Sequence, residues 1–310
     1  MTLPRRGRKS NNENRRYGIG EWYGRLADCL TAEELALLAN LQGLPKHKRP
    51  PQPCPFREPR MCNKEGGVCS LRLYAGSQDS ATSHRIPGDD GSLRATCPNR
   101  FYESGTIFEW VGEVVLRRKR PSIAGEVGFL EQPGHPEDVP GESVGRIDCV
   151  LVSQGEHSFD WCALEIQAVY FSGESMRKEF RVLQDYSGPG LPFPIAKRRP
   201  DYRSSGPKRL MPQLQIKVPT LRRWGKKMVV VVDTRFFAAL GRMDEVADIS
   251  NCDIAWFVVE FEESKGTAKL VPAFVRFTTL ERAVDGLTGG TPVNLDEFER
   301  RIRAKLVDPS

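Results

Sequence analysis

The sequence predicts an α/β protein in which a mixed central sheet is flanked by helices, preceded by a small cysteine-rich region. Three observations carry this expectation. From Phe108 onward, short apolar runs of strand length alternate with amphipathic helical stretches. Between Cys54 and Tyr102 the texture differs, with four cysteines, many Gly, Ser, Pro and Arg residues and few aliphatic ones. Finally, 310 residues that are 39% hydrophobic and 28% charged have an ordinary globular balance and enough material for a sizeable core.

Taken in order, Met1 to Arg16 is basic and polar and is expected to be a mobile arm. Thr31 and Glu34 have the spacing of a capping box. They open a helix whose apolar stripe is Leu35, Leu38 and Leu41, and Gly43 closes it. Lys46 to Pro53 is a proline-rich linker or extended arm. Cys54 to Tyr102 has little with which to build a hydrophobic core, so another device is expected to hold it together. A polar loop is expected between Ser77 and Ser92.

A helix is then expected over Phe108–Leu116 and a short strand over Glu126–Leu130. The Gly/Pro-rich loop Gln132–Val144 leads to two strands, Arg146–Val152 and Trp161–Tyr170, joined by a turn at Gly155. A helix over Glu174–Tyr186 follows, then a long loop, Ser187–Pro207, whose length marks it as functional or mobile. Further strands are expected at Met228–Asp233, Asp253–Glu260 and Lys269–Arg276. A last helix, Leu295–Leu306, has Leu295, Phe298 and Ile302 on one face. There are no internal repeats.

Lys plus Arg (46) exceeds Asp plus Glu (40), a net charge of +6. Basic residues cluster at Arg5–Lys9, Arg15–Arg16, Arg117–Arg120, Lys197–Arg209 and Arg222–Lys227. One such cluster is usually a solvated face; several around one site favour a polyanionic partner. No apolar run approaches the roughly 20 residues of a membrane helix, and no apolar segment follows the basic N-terminus. A cytoplasmic protein without a membrane role is therefore expected.

Two constellations carry chemistry. The first is Asp148, in Gly145-Arg-Ile-Asp148, followed across a hairpin by Glu165 and Gln167 in Leu164-Glu165-Ile-Gln167-Ala168. In a strand Glu165 and Gln167 share one face, while Leu164, Ile166 and Ala168 face the opposite apolar layer. A carboxylate in such a strand must be paired or bind a metal. The arrangement is a variant of the PD-(D/E)xK nuclease motif with Gln167 where lysine is usual. Two carboxylates with phosphate oxygens suit Mg²⁺, which stabilises phosphoryl charge and activates water. The alternative is a buried ion pair beside an edge strand.

The second is Cys54, Cys62, Cys69 and Cys97, separated by seven, six and twenty-seven residues. Four thiolates make a tetrahedral structural site for zinc or iron, although no paired C-x₂-C knuckle is present and four unrelated cysteines are the alternative. Cys29, Cys149, Cys162 and Cys252 are expected to be small buried residues. The histidines are scattered, with no two at ligand spacing.

Together, in this order, Cys54-Pro-Phe, Gly-Gly-Val-Cys69-Ser, Cys97-Pro-Asn-Arg-Phe101, Gly-Arg-Ile-Asp148 and Asp160-Trp-Cys-Ala-Leu-Glu165-Ile-Gln167-Ala-Val-Tyr170 resemble the NotI type of restriction endonuclease, over Cys54 to Gly173. The resemblance implies a PD-(D/E)xK core and Mg²⁺-dependent, site-specific cutting of double-stranded DNA. It also implies a four-cysteine metal site, with iron in the family's known fold. Asp148, Glu165 and Gln167 would be catalytic, and Cys54, Cys62, Cys69 and Cys97 the metal ligands. The family's further upstream carboxylate would be Glu126, with Glu113 as runner-up.

Arg177 and Lys178 are candidate phosphate clamps. Lys197, Arg198, Arg199, Arg203, Lys208 and Arg209 are candidates for groove entry. Palindromic sites imply a two-fold homodimer, and a restriction enzyme in a bacterial cytoplasm implies a cognate DNA methyltransferase. The expected organisation is an arm and helix (1–53), a metal-binding region (54–102) and a nuclease core (103–310) with DNA-recognition loops at about 187–227. An inactive DNA-binding protein, a repair nuclease of the same fold and a zinc-knuckle structural protein are the competing readings.

Overall fold

The computed structural model describes residues 14–76, 82–131, 143–156, 158–289 and 293–306. The chain begins with β1 (Asn14–Trp22), β2 (Arg25–Leu26) and α1 (Ala32–Gly43), followed by β3 (Val68–Gly76), β4 (His84–Arg85), β5 (Arg94–Ala95) and α2 (Thr106–Leu116). An antiparallel run β6 (Ser122–Glu131), β7 (Ser143–Gln154) and β8 (Phe159–Ile166) comes next. After β9 (Phe171–Gly173), α3 (Arg177–Gln184), β10 (Arg198–Pro200) and α4 (Tyr202–Ser205), a π-turn at Gly206–Leu210 leads into α5 (Met211–Arg223). The remainder is β11 (Met228–Asp233), α6 (Thr234–Ala238), β12 (Ile254–Ser264), β13 (Thr267–Thr278), α7 (Leu280–Thr288) and α8 (Leu295–Arg303).

Eleven strands form one large mixed sheet, running β4-β3-β1-β2-β13-β12-β11-β8-β7-β6, with β5 paired to β3. β8, β11 and β12 are parallel neighbours, and the other pairings are antiparallel. β11 is buried along its whole length, as expected of a central parallel strand reading Met-Val-Val-Val-Val-Asp. One face of the sheet packs its apolar layer, including Cys149, Leu151, Cys162 and Leu164, against Ile107, Phe108 and Val111 of α2. The other packs Val150, Ala163, Val230 and Trp256 against Leu214, Val218 and Leu221 of α5, Phe236 of α6 and Leu287 of α7. A third cluster joins β1 and β3 to α1 and α3 through Trp22, Leu71, Leu35 and Phe180.

The capping box at Thr31 is present in full, with the Glu34 amide on the Thr31 hydroxyl and the Thr31 amide on the Glu34 carboxylate. The expected strands Met228–Asp233, Asp253–Glu260 and Lys269–Arg276 are β11, β12 and β13, the last two being longer than expected.

Four expectations are corrected. Arg15 and Arg16 are not in an arm: they lie on β1, opposite Ala75 and Tyr74 of β3, and Arg16 donates to the Pro194 and Ile195 carbonyls. The segment after Cys54 does contribute hydrophobic core, because β3 is buried almost throughout. Most of the stretch 198–223 is ordered as β10, α4 and α5 rather than loop. Cys29 is exposed, beside Asp28 and Arg85, whereas Cys149, Cys162 and Cys252 are buried.

The loop Gln132–Val144 falls largely outside the described residues, as do positions 1–13 and the first part of the expected polar loop, 77–81. The last helix forms, and its Leu295, Phe298 and Ile302 are all exposed.

Candidate active site

The Cys149–Leu164 pair is the last rung before the β7/β8 ladder opens, and its register sets Asp148 across from Glu165. On the other side of β7 the partners pass from Gly125–Cys149 to Val127–Ile147. Between them Glu126 has left-handed backbone, φ 44°, a conformation an L side chain adopts at some cost. Ile147 belongs to the core layer of α5 while Cys149 belongs to that of α2. The strand therefore changes face at Asp148. That twist leaves Asp148 exposed at the mouth of a cleft while Glu165, next to it, is 3% exposed.

Glu165 points to the α5 side, as Ala163 does, and away from Leu164 and Ile166. It meets Lys217 of α5, whose Nζ donates to Oε2 at 2.7 Å and to the Gln213 Oε1 at 2.6 Å. Burial pushes the Glu165 carboxyl up to about 7; Lys217 opposes this, and the nearby Asp148 carboxyl, within hydrogen-bonding reach, adds to it. Glu165 and Lys217 thus share a desolvated corner, where charge interactions are stronger than in water, with the exposed Asp148 at its edge.

After Ile166 the chain leaves the sheet, so the strand expected to run to Tyr170 ends four residues earlier. The Gln167 amide still bonds to Val231, but the Val169 amide turns to Ala95. Gln167 lies half-buried on this turn, its Nε2 donating to the Ala168 carbonyl at 2.7 Å. Asp148, Glu165, Gln167, Arg209 and Gln213, together with Lys64, line one cleft of about 870 Å³. The carboxylate oxygens of buried Glu165 and exposed Asp148 are of the hard type that suits Mg²⁺.

Glu126 lies on β6 beside this point, but its carboxylate is 75% exposed and pairs with Arg146. Glu113 is exposed on α2, which packs on the opposite face of the sheet. Neither is among the described residues lining the cleft. Two acids that do line it, Glu65 and Glu174, stand in no motif that the sequence reveals. Lys217 is equally silent there, because prolines at positions 212 and 219 disguise its helix. The signal that would find it is the stripe Leu210, Leu214, Val218, Leu221, into whose buried face Lys217 brings a charge.

The candidate DNA contacts separate into two groups. Lys197, Arg199, Arg203, Lys208 and Arg209 are largely solvent-facing, with Arg209 held over the Tyr170 ring at 4.6 Å. Arg177 is exposed and pairs with Glu65 at 3.3 Å, and Lys178 pairs with Glu174. Arg198 is different. It is buried, paired with Glu179 at 3.4 Å and directed at the Tyr17 and Ser175 carbonyls, so it ties β10 to α3 at the wall of the cleft.

Cys54 and Cys69 are buried together with Phe56, and Cys62 packs against them. Cys97 is close enough to Cys54, Cys62 and Cys69 for their charges to interact. The approach to Cys69 is a tight turn: Gly66 and Gly67 both have left-handed backbone, and a Cβ on Gly67 would collide with the Tyr23 ring. Burial raises the Cys62, Cys69 and Cys97 thiols, and backbone N–H donors from Lys64, Gly24 and Asn99 respectively oppose that rise. Donors aimed at sulfur stabilise thiolate, the form a metal takes. The donor set therefore fits a soft or borderline cation. As they stand, no three His, Cys, Asp or Glu side chains among the described residues have closed to coordinating geometry.

The family model described as restriction endonuclease NotI matches residues 42–271, well over half of the chain. The chain belongs to the NotI restriction endonuclease family. Membership of this family implies sequence-specific DNA cleavage, and the matched span takes in Asp148, Glu165, Gln167 and the four clustered cysteines. No curated protein matches the chain. No helix among the described residues is long and apolar enough to cross a membrane.

Proposed function

We propose that this protein is a type II restriction endonuclease that makes Mg²⁺-dependent double-strand cuts at a specific DNA sequence. The observation that carries the reading is the meeting of Asp148 and Glu165 at the opened end of the β7/β8 ladder, in a cleft that also holds Gln167. The strands β6, β7, β8 and β11, with α5 against them, serve as a PD-(D/E)xK core.

Asp148 and Glu165 would hold the metal, which when bound polarises the scissile phosphate and activates a water. Asp148, at the open mouth, presents its carboxylate to the substrate side. Glu165, fixed by its burial, sets the position from which the site is built. Gln167 orients the water or the phosphate by hydrogen bonding and contributes no charge. Glu126, adjoining Asp148 across the β6/β7 ladder, is the further acid. Lys197, Arg199, Arg203, Lys208 and Arg209 bind duplex DNA, and Arg177 and Lys178 grip phosphates. Cys54, Cys62, Cys69 and Cys97 would hold iron or zinc as a structural brace between β3 and the linker before it. The active form is a homodimer matching a two-fold site, and a methyltransferase of the same specificity protects the host DNA.

The test is incubation of the protein with unmethylated phage DNA in Mg²⁺ and in EDTA. Discrete fragments in Mg²⁺ alone are expected. Intact DNA in both would favour an inactive DNA-binding protein, and cuts confined to damaged DNA would favour repair.

A further inference from the structure

The buried cation Lys217 is not explained by the roles given so far. It is 4% exposed, and it stands in the apolar face that α5 packs against the sheet. A lysine there is costly unless its ammonium is satisfied, and Val or Leu would suit the neighbouring Leu214, Val218 and Leu221 better. Its two acceptors differ in kind. Glu165 Oε2, at 2.7 Å, is a carboxyl oxygen of the candidate metal site; Gln213 Oε1, at 2.6 Å, is a neutral amide oxygen one helical turn away. The strand position that could have supplied a cation is Gln167, whose amide is turned to the Ala168 carbonyl.

We propose that Lys217 is the positioning cation of the cleft. It occupies the Glu165 carboxylate when no metal is present, and yields it to an incoming divalent ion while remaining anchored on Gln213. Two positive charges cannot share one carboxylate oxygen in a desolvated corner without strong repulsion. A divalent ion held by Glu165 would displace the ammonium from that carboxylate and leave it on Gln213 alone. The lysine thereby keeps Glu165 aimed into the cleft and stops it from collapsing onto other partners. It also leaves a fixed positive charge beside the site that Gln167 cannot provide. This inference rests on the assignment of Glu165 to the metal.

The two residues predict opposite signs for metal affinity, which a purely structural ion pair does not. Mn²⁺ binding to the whole protein, without DNA, is followed by electron paramagnetic resonance for wild type, Lys217→Met, Lys217→Arg, Gln213→Leu and Glu165→Gln. Lys217→Met is expected to bind Mn²⁺ about tenfold more tightly, since the competing charge is gone. Gln213→Leu is expected to bind severalfold more weakly, because the displaced ammonium has lost its resting place. Lys217→Arg should stay near wild type.

If Lys217→Met and Gln213→Leu shift affinity in the same direction, or neither shifts it, the inference is overturned. If Lys217→Met does not fold, Gln213→Leu decides alone: weaker binding supports the inference and unchanged binding overturns it. If wild type and Glu165→Gln bind Mn²⁺ equally, the assignment of Glu165 to the metal fails, and this inference fails with it. Tight wild-type binding that depends on Glu165, with no opposed shifts, overturns the role of Lys217 alone.

Discussion

Two buried acid–base pairs in this molecule, Glu21 with Arg100 and Glu165 with Lys217, differ in how completely they are satisfied. Glu21 and Arg100 meet with no exposure at all, Arg100 Nε lying 3.0 Å from both carboxylate oxygens. Arg100 Nη1 donates to Glu103 at 2.9 Å and its Nη2 to the Ala268 carbonyl at 2.7 Å. Phe56 and Phe261 flank its guanidinium at 4.4 and 4.6 Å. This pair joins β1 to the β13 side of the sheet and has nothing left to offer a ligand. Glu165 and Lys217 have one shared contact, a neutral second acceptor and an open cleft beside them. Burial raises both glutamates, so desolvation does not tell them apart. What separates a brace from a candidate reactive centre is the surplus of unsatisfied hydrogen-bonding capacity facing a cavity.

The largest effect expected from this contrast is on the brace. Arg100→Met strands Glu21 in the core and should lower stability by roughly 3–5 kcal/mol, the usual cost of breaking one side of a buried pair. Adding Glu21→Gln should restore much of it, because the uncompensated charge is then gone. Chemical denaturation of the single and double variants measures both, and a single variant as stable as the double would break the comparison.

The next effect is one of pH. In the folded protein Glu165 is pushed up to about 7 and Asp233, wholly buried as the cap of α6, up to about 6. Both lie above ordinary carboxylate values, so the folded state holds more protons than the unfolded one between about pH 4 and 7. Metal-free protein should therefore be most stable at the acidic end of that window and lose several degrees of melting temperature as pH rises through it. Glu165→Gln should flatten the upper half of the curve, and Ca²⁺ should raise the melting temperature more at pH 8 than at pH 6. A melting curve that climbs with pH across this window would contradict the burial argument.

Smaller again is the effect of the exposed cations. Arg203→Ala, Lys208→Ala and Arg209→Ala should each weaken DNA binding and lower the slope of log affinity against log salt by about one. Arg198→Ala should leave that slope unchanged and lower the melting temperature instead, since its guanidinium is spent on Glu179.

Much of the core was legible in the sequence because it follows local rules. The capping box at Thr31, the five-residue apolar run of β11 and the alternation that turns Glu165 away from Leu164 each need only a few neighbouring residues. The rest depends on distant partners. The start of β1, Asn14 to Arg16, reads as the end of a basic arm, and is a strand because β3, some fifty residues later, pairs with it. The helix α5 is disguised by Pro212 and Pro219, although Pro212 sits at its first turn, where no amide bond is lost. Without α5 there is nothing to place Lys217. Arg198 looks like its solvent-facing neighbours because a basic run does not show which of its members turns inward to a buried acid.

The most direct test of the central claim is the single-turnover cleavage rate of Glu165→Gln against wild type at a mapped site in Mg²⁺, with melting temperature measured alongside. The account predicts a loss of about 10³-fold or more in rate in a protein that is still fully folded at the assay temperature. Cleavage retained at the wild-type rate in the folded variant would contradict it, and Glu165 would then be a second brace like Glu21.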